Sequence, residues 1–145
     1  MEDILLEVNN LAVDFKTEQG NFRAINNISY SLERGECLGI VGESGSGKTV
    51  SSLALMRLIP RAGKVSEGEL IFNSKRKGKT AIQNLSEKEM RSFRGNEIAM
   101  VFQEPLTSLN PVLTCGYQVM EAIMLHQQVS KKMKAGTVHW NYLKR

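Results

Sequence analysis

Residues 42–49 read Gly42-Glu43-Ser44-Gly45-Ser46-Gly47-Lys48-Thr49. The spacing G-x-x-x-x-G-K-[ST] admits few structural contexts. Glycines at 42, 45 and 47 let the backbone turn through φ > 0 and close tightly around an anion. The successive N–H groups of the loop, those of Ser44 and Ser46 included, then point inward and form a nest for phosphate oxygens. A helix opening directly behind the loop adds unpaired N–H groups and the positive end of its dipole. Lys48 contributes a full charge that reaches terminal phosphates, and the Thr49 hydroxyl suits Mg²⁺, which keeps most of its waters. Glu43 has room to point its side chain into solvent.

The motif requires a strand before it and a helix after it. Cys37–Val41 is a continuous apolar run, and its lack of alternation predicts a short strand buried on both faces, as in a parallel sheet. Thr49–Ile59, rich in Leu, Ala and Met and followed by Pro60, predicts a helix with a clear stop. Upstream, Leu5–Asn10 alternates, and Leu11, Val13 and Phe15 share one side of a further extended stretch. Glu18–Asn21 reads as a turn, Phe22–Leu32 as a second strand region, and Arg34-Gly35-Glu36 as another turn. Downstream, Glu69–Phe72 predicts a strand. Ser86-Glu87-Lys88-Glu89 has the form of a capping box. Ile98–Phe102 predicts a second buried strand, and Thr107–Pro111 a loop. Cys115–Gln127 predicts a helix with Val119, Met120, Ile123 and Met124 on one face.

Composition narrows the classes. The 145 residues are 41% apolar and 23% charged, a soluble globular balance that can bury a core. No apolar run approaches the roughly 20 residues that cross a bilayer. The start, Met1-Glu2-Asp3-Ile4, is acidic where a secretion signal is basic. Cys37 and Cys115 stand far apart and read as ordinary reduced thiols of a cytosolic protein. The net charge of +4 resides in the last sixteen residues, which hold five cations and no acid. Without them 14 basic residues face 15 acidic ones, so the body carries no footprint for nucleic acid. A second basic cluster, Lys75-Arg76-Lys77-Gly78-Lys79, reads as a solvated loop.

Two blocks carry a resemblance. Gly39–Thr49, followed by Ile98-Ala-Met-Val-Phe-Gln-Glu-Pro-Leu-Thr-Ser-Leu-Asn-Pro111, resembles an ABC transporter ATP-binding subunit of the dipeptide, oligopeptide and nickel uptake branch. The likeness runs from about residue 5 to Lys132, and the residues after Lys132 form a basic tail unlike the family. It implies an α/β fold: a P-loop NTPase core with an N-terminal antiparallel β subdomain, here a partial ABC cassette. It implies ATP and Mg²⁺ as ligands, held by Gly42, Ser44, Gly45, Ser46, Gly47, Lys48 and Thr49. Gln103 is then the Q-loop glutamine, reaching Mg²⁺ and the attacking water. Phe15 is the aromatic that stacks on adenine, with Phe22 competing for that role. Leu106–Pro111 lies near the face that meets a membrane subunit. The implied partners are membrane permease subunits and a second ATP-binding subunit, at the inner face of the cell membrane.

The sequence also departs from the family. The 145 residues contain no adjacent glycines, hence no LSGGQ-type segment. No apolar strand ends in Asp-Glu after Gln103, and neither His126 nor His139 stands where a switch histidine is expected. The resemblance therefore implies a form truncated before the LSGGQ segment, without turnover of its own. The strand of the phosphate loop would be left with an open edge, an aggregation hazard. Two other readings stay open at this point. One is a non-catalytic nucleotide-binding or interaction protein derived from such a cassette. The other is a different soluble P-loop NTPase.

Overall fold

The computed structural model describes residues 3–103 and 109–126. The chain divides into two compact units, residues 1–90 and 91–145. The basic tail after Lys132, Gln127, and Glu104–Ser108 of the second resemblance block lie outside the described residues.

The first unit is built on a four-stranded antiparallel sheet. Its strands are β1 (Ile4–Thr17), β2 (Gly20–Glu33), β3 (Gly63–Ser74) and β4 (Gly78–Ala81), in the order β2-β1-β3-β4. Strands β1 and β2 pair across a turn at Glu18 and Gln19, tighter than the expected Glu18–Asn21 because β2 already begins at Gly20. The two extended stretches read separately in the sequence are one strand of 14 residues. Leu6 and Val8 are buried at even positions, and Leu11 and Val13 at odd ones. A period of two cannot do this without an extra residue. The chain supplies it as a bulge at Asn9–Asn10, where pairing steps from Asn9↔Glu69 to Ala12↔Glu67. Asn10 takes φ +51 and donates its N–H to Ser29 Oγ at 2.8 Å. Opposite it, Gly68 takes φ +98. A Cβ there would lie 2.6 Å from the carbonyl oxygens of both Asn9 and Asn10. The core of the sheet is Leu6, Val8, Leu11, Val13, Ile25, Leu70 and Phe72.

Helix α1 (Lys48–Leu55) is shorter than the sequence predicts. Pro60 does not end it. Arg57 N–H bonds Ala54 O at 3.0 Å and Leu58 N–H bonds Leu53 O at 2.9 Å, with Arg57 at φ +50. This is a Schellman stop with an arginine in the left-handed position. After β3, the cluster Lys75–Lys79 is the tip of the β3–β4 hairpin. Ser74 Oγ accepts the N–H groups of Arg76 and Lys77, each at 3.1 Å. Lys77 and Lys79 reach carboxylates, Glu89 at 2.7 Å and Glu7 at 2.9 Å, so half of this basic cluster is neutralised locally. A short 3₁₀ turn (Ile82–Asn84) leads to α2 (Glu87–Phe93). The capping box forms as expected. Ser86 N–H donates to Glu89 Oε2 at 2.9 Å, and Glu89 N–H donates to Ser86 Oγ at 3.3 Å.

Two expected strands are absent from the described residues. Cys37–Val41 has no ladder partner and is exposed, Val41 at 94%. Ile98–Phe102 makes only an isolated bridge, Arg94↔Ile98, and leaves Val101 at 90% exposure. The physical reason is common to both. A parallel strand is defined by its neighbours on either side, and none of the four strands of the sheet pairs with these runs.

In the second unit, α3 (Cys115–His126) starts where expected, but none of its residues is buried, its predicted apolar face included. Thr114 Oγ1 accepts the N–H of Tyr117 at 3.3 Å. Gln118 accepts the Asn110 N–H at 2.8 Å and donates to the carbonyls of Asn110 and Leu113, tying the preceding loop to the helix. The His126 ring lies on Gly95, where a Cβ would be 2.6 Å from Nε2. Among the described residues no helix is long and apolar enough to cross a membrane.

Gly68→Ala should lose about 2 kcal/mol or more in urea unfolding, from left-handed strain and the clash with two carbonyls. Gly78→Ala at φ +69, with nothing within 4 Å, should lose only the strain. Glu89 titrates near 2, held down first by Lys77 and then by Ser86. A depressed carboxyl pKa stabilises the fold above the unfolded value of 4.5 and ceases to as pH falls toward 2. Lys77→Met should therefore raise the titration midpoint of Glu89 in carboxyl-carbon NMR, and an unchanged midpoint contradicts the assignment.

Candidate functional site

The loop between Gly42 and Thr49 is held shut by its own lysine. Lys48 Nζ donates to Gly42 O and Glu43 O, each at 2.6 Å, and to Ser46 Oγ at 3.3 Å. An ammonium has three donors. Two of them bridge the opening carbonyls of the loop, and the third meets a hydroxyl that an anion's oxygen can replace. Gly45 at φ +83 and Gly47 at φ +91 supply the left-handed steps that turn the chain back on itself. At Gly42 a Cβ would lie 2.7 Å from Ser46 Oγ, so the absence of a side chain lets the two sides of the loop meet.

Gly47 is also the N-cap of α1, with no side-chain cap bond. The first amides of a helix have no acceptor within it. Nothing in the first turn of α1 is acidic. Those amides are therefore offered outward, beside the Lys48 ammonium. The Ser51 and Ser52 hydroxyls both donate to Lys48 O, at 2.7 and 3.3 Å, which steadies the first turn from behind. The Thr49 hydroxyl is exposed and has no hydrogen-bond partner among the described residues. Ser44 and Glu43 are exposed as well, Glu43 as expected of a side chain turned to solvent.

The loop is seated on the sheet at its last glycine. A Cβ on Gly47 would lie 2.9 Å from Ala24 O and 3.2 Å from Ile25 Cγ1. Ala24 and Ile25 belong to β2, two and three residues from Phe22. Phe22 pairs directly with Phe15 across the hairpin. The aromatic pair thus sits about 7 Å along the strand from the loop's footing, by the rise of two strand residues. The Phe15 ring rests on Gly63, where a Cβ would be 2.6 Å from Cε1. Phe22 is 59% exposed. Beside Phe15 opens a cleft of about 280 Å³, lined also by Asn21, Arg61, Gly63 and Lys64. The next cross-strand pair fixes the register at this end. Arg23 joins Asp14 at 2.9 Å and Glu67 at 2.8 Å, tying β2, β1 and β3 together. The Arg23 guanidinium holds the Asp14 carboxyl below the usual carboxylate range.

Gln103 lies in the second unit and is exposed. It is not brought to the loop within either unit taken by itself. Cys37 and Cys115 are free and exposed. Reasoning from the sequence missed Ser51, Ser52 and Ala24. The serines follow Thr49 directly, and their hydroxyls at the i+3 and i+4 spacing were the available signal. Ala24 carried none, because the sheet alone brings its carbonyl to Gly47.

A glycine-rich loop bridged by its lysine and opening an uncapped helix has the form of the phosphate loop of P-loop NTPases. A sequence model of the ABC transporter family matches residues 25–142. The match spans more than half of the chain, and the chain belongs to that family. It is 52% identical over 130 residues to the dipeptide transport ATP-binding protein DppD of Escherichia coli (strain K12), covering 90% of this chain and 38% of that one. It is 49% identical over 129 residues to the oligopeptide transport ATP-binding protein OppD of Bacillus subtilis (strain 168), covering 88% and 35%. With the glutathione import ATP-binding protein GsiA of Pectobacterium atrosepticum the figures are 45% over 132 residues, 90% and 21%. The chain spans little more than a third of the first two relatives and about a fifth of the third.

The footing of the loop is directly testable. Gly47→Ala should lose about 2 kcal/mol of stability from left-handed strain and the approach to Ala24 O. It should also shift the amide resonances of Ala24 and Ile25. A variant with wild-type stability and unmoved β2 resonances contradicts this seating.

Proposed function

We propose that this chain is the ATP-binding part of the energy-coupling subunit of an importer for peptides or related solutes. The observation that carries the proposal is the Lys48 ammonium bridging Gly42 O and Glu43 O at the mouth of an uncapped helix. Family membership and relatives named for dipeptide transport, oligopeptide transport and glutathione import support it.

The residues present fit ATP and Mg²⁺. Mg²⁺-ATP supplies a phosphoanhydride bond whose cleavage powers transport. Gly42, Ser44, Gly45, Ser46 and Gly47 present backbone amides to the phosphates, and Lys48 adds the compensating charge. Thr49 offers a hydroxyl free to ligate the metal. Gln103, on the second unit, is the residue for Mg²⁺ and water, and Phe15 or its partner Phe22 offers a ring for adenine. The partners in this reading are membrane permease subunits and a second ATP-binding subunit. The chain then works in the cytoplasm, peripheral to the inner face of the membrane.

These 145 residues bind without turnover. They hold no LSGGQ-type segment and no water-orienting acid after an apolar strand. Loss of such groups lowers rate by about 10²-fold or more each. Isothermal calorimetry should detect Mg²⁺-dependent uptake of ATP, weakened about tenfold or more by Lys48→Ala, as expected for a charge-assisted bond. Equal affinity of wild type and variant contradicts the binding role. Steady-state hydrolysis abolished by Lys48→Ala contradicts the absence of turnover.

A further inference from the structure

We propose that Arg57 is a positioning residue for the phosphate loop, a role that rests on the binding function proposed above. Its side chain latches the far end of α1 so that the near end aims its amides correctly.

Arg57 occupies the left-handed position of a helix stop, at φ +50. Glycine is the usual occupant, because an L side chain there costs roughly 1–2 kcal/mol. A residue that is strained at this position needs something to hold it. The Arg57 guanidinium donates to the carbonyl of Leu85. Leu85 is buried, its own N–H bonded to Ile82 O at 3.2 Å. It ends the 3₁₀ turn and directly precedes Ser86, which caps α2. The acceptor is thus a rigid point, fixed by hydrogen bonds on both sides.

The helix so held is short. Its eight residues, Lys48–Leu55, carry only Ser51 and Ala54 as buried side chains. At its near end Gly47 lies close against β2 with no side chain to interlock. Eight residues span about 12 Å. If the far end is unlatched, a change of about 5° in the helix axis moves the opening amides by about 1 Å, against a hydrogen-bond tolerance of about half an ångström. A helix with a small buried face and a glycine at one end depends on its other end. Buried Met56 and the Arg57 latch hold that end, and the latch offsets the conformational strain at the Arg57 backbone.

Two variants separate positioning from stability. Arg57→Gly removes the latch and relieves the strain, and Arg57→Lys keeps a charged donor on a shorter stem. Arg57→Gly should melt at or above the wild-type temperature while binding Mg²⁺-ATP about 3- to 10-fold more weakly, the loss of one hydrogen bond's worth of aim. Arg57→Lys should restore most of that affinity. Amide hydrogen exchange without nucleotide should speed up at Ser51 and Ser52 in Arg57→Gly and return toward wild type in Arg57→Lys. Unchanged exchange at those amides, or Arg57→Gly binding as tightly as wild type, overturns the proposal. If the wild type itself takes up no ATP, the binding function fails, and the exchange measurement still decides whether Arg57 positions the helix.

Discussion

The structure depends on one close approach, the backbone of Gly47 against the carbonyl of Ala24. At 2.9 Å from a hypothetical Cβ, that contact leaves no room for any side chain. It lets the loop end, the helix begin and the sheet pass beneath at a single residue. The left-handed φ of Gly47 turns the chain from loop to helix at the same point. One glycine therefore does two things no other residue does there without strain. The start of α1 and the end of the loop that Lys48 bridges meet the sheet at that junction.

The charge of the site is set by its own backbone. Lys48 is drawn to two carbonyls of the loop, which shapes the loop and leaves the ammonium beside the helix start. Two of its donors hold the loop's carbonyls, so an anion need displace only the hydroxyl of Ser46 to meet the ammonium. The sheet contributes rigidity. The Arg23 ion triad spans three strands next to the Phe15–Phe22 pair and pins the end of the hairpin that carries both rings. The bulge at Asn10 and Gly68 keeps the remainder of β1 in phase with its core.

What the sequence disclosed follows from how local each signal is. The loop was legible because its spacing encodes backbone geometry within eight residues. The capping box at Ser86 was legible for the same reason, and so was the hairpin turn, read at Glu18–Asn21, although Gly20 and Asn21 already belong to β2. The two apolar runs misled, because strand formation is decided by neighbours and not by composition. Cys37–Val41 and Ile98–Phe102 have the right residues and no ladder partner among the described strands. The end of α1 misled in a different way. Pro60 is a visible stop, but the operative one is Arg57, a residue type whose left-handed conformation is unreadable without knowing that Leu85 stands ready to accept its side chain. The phase change at Asn9–Asn10 was visible in the pattern of Leu6, Val8, Leu11 and Val13, yet only pairing turns two stretches into one bulged strand. Within the site, Lys48, Thr49 and the glycines came from the motif, whereas the footing on Ala24 came from the fold alone.

If the amides of residues 42–49 grip phosphate, two-dimensional amide NMR during titration with Mg²⁺-ATP should show it residue by residue. Saturable shifts should concentrate at Gly45, Gly47, Lys48 and Thr49. Shifts confined to other parts of the chain, with these four amides unmoved at saturation, would contradict it.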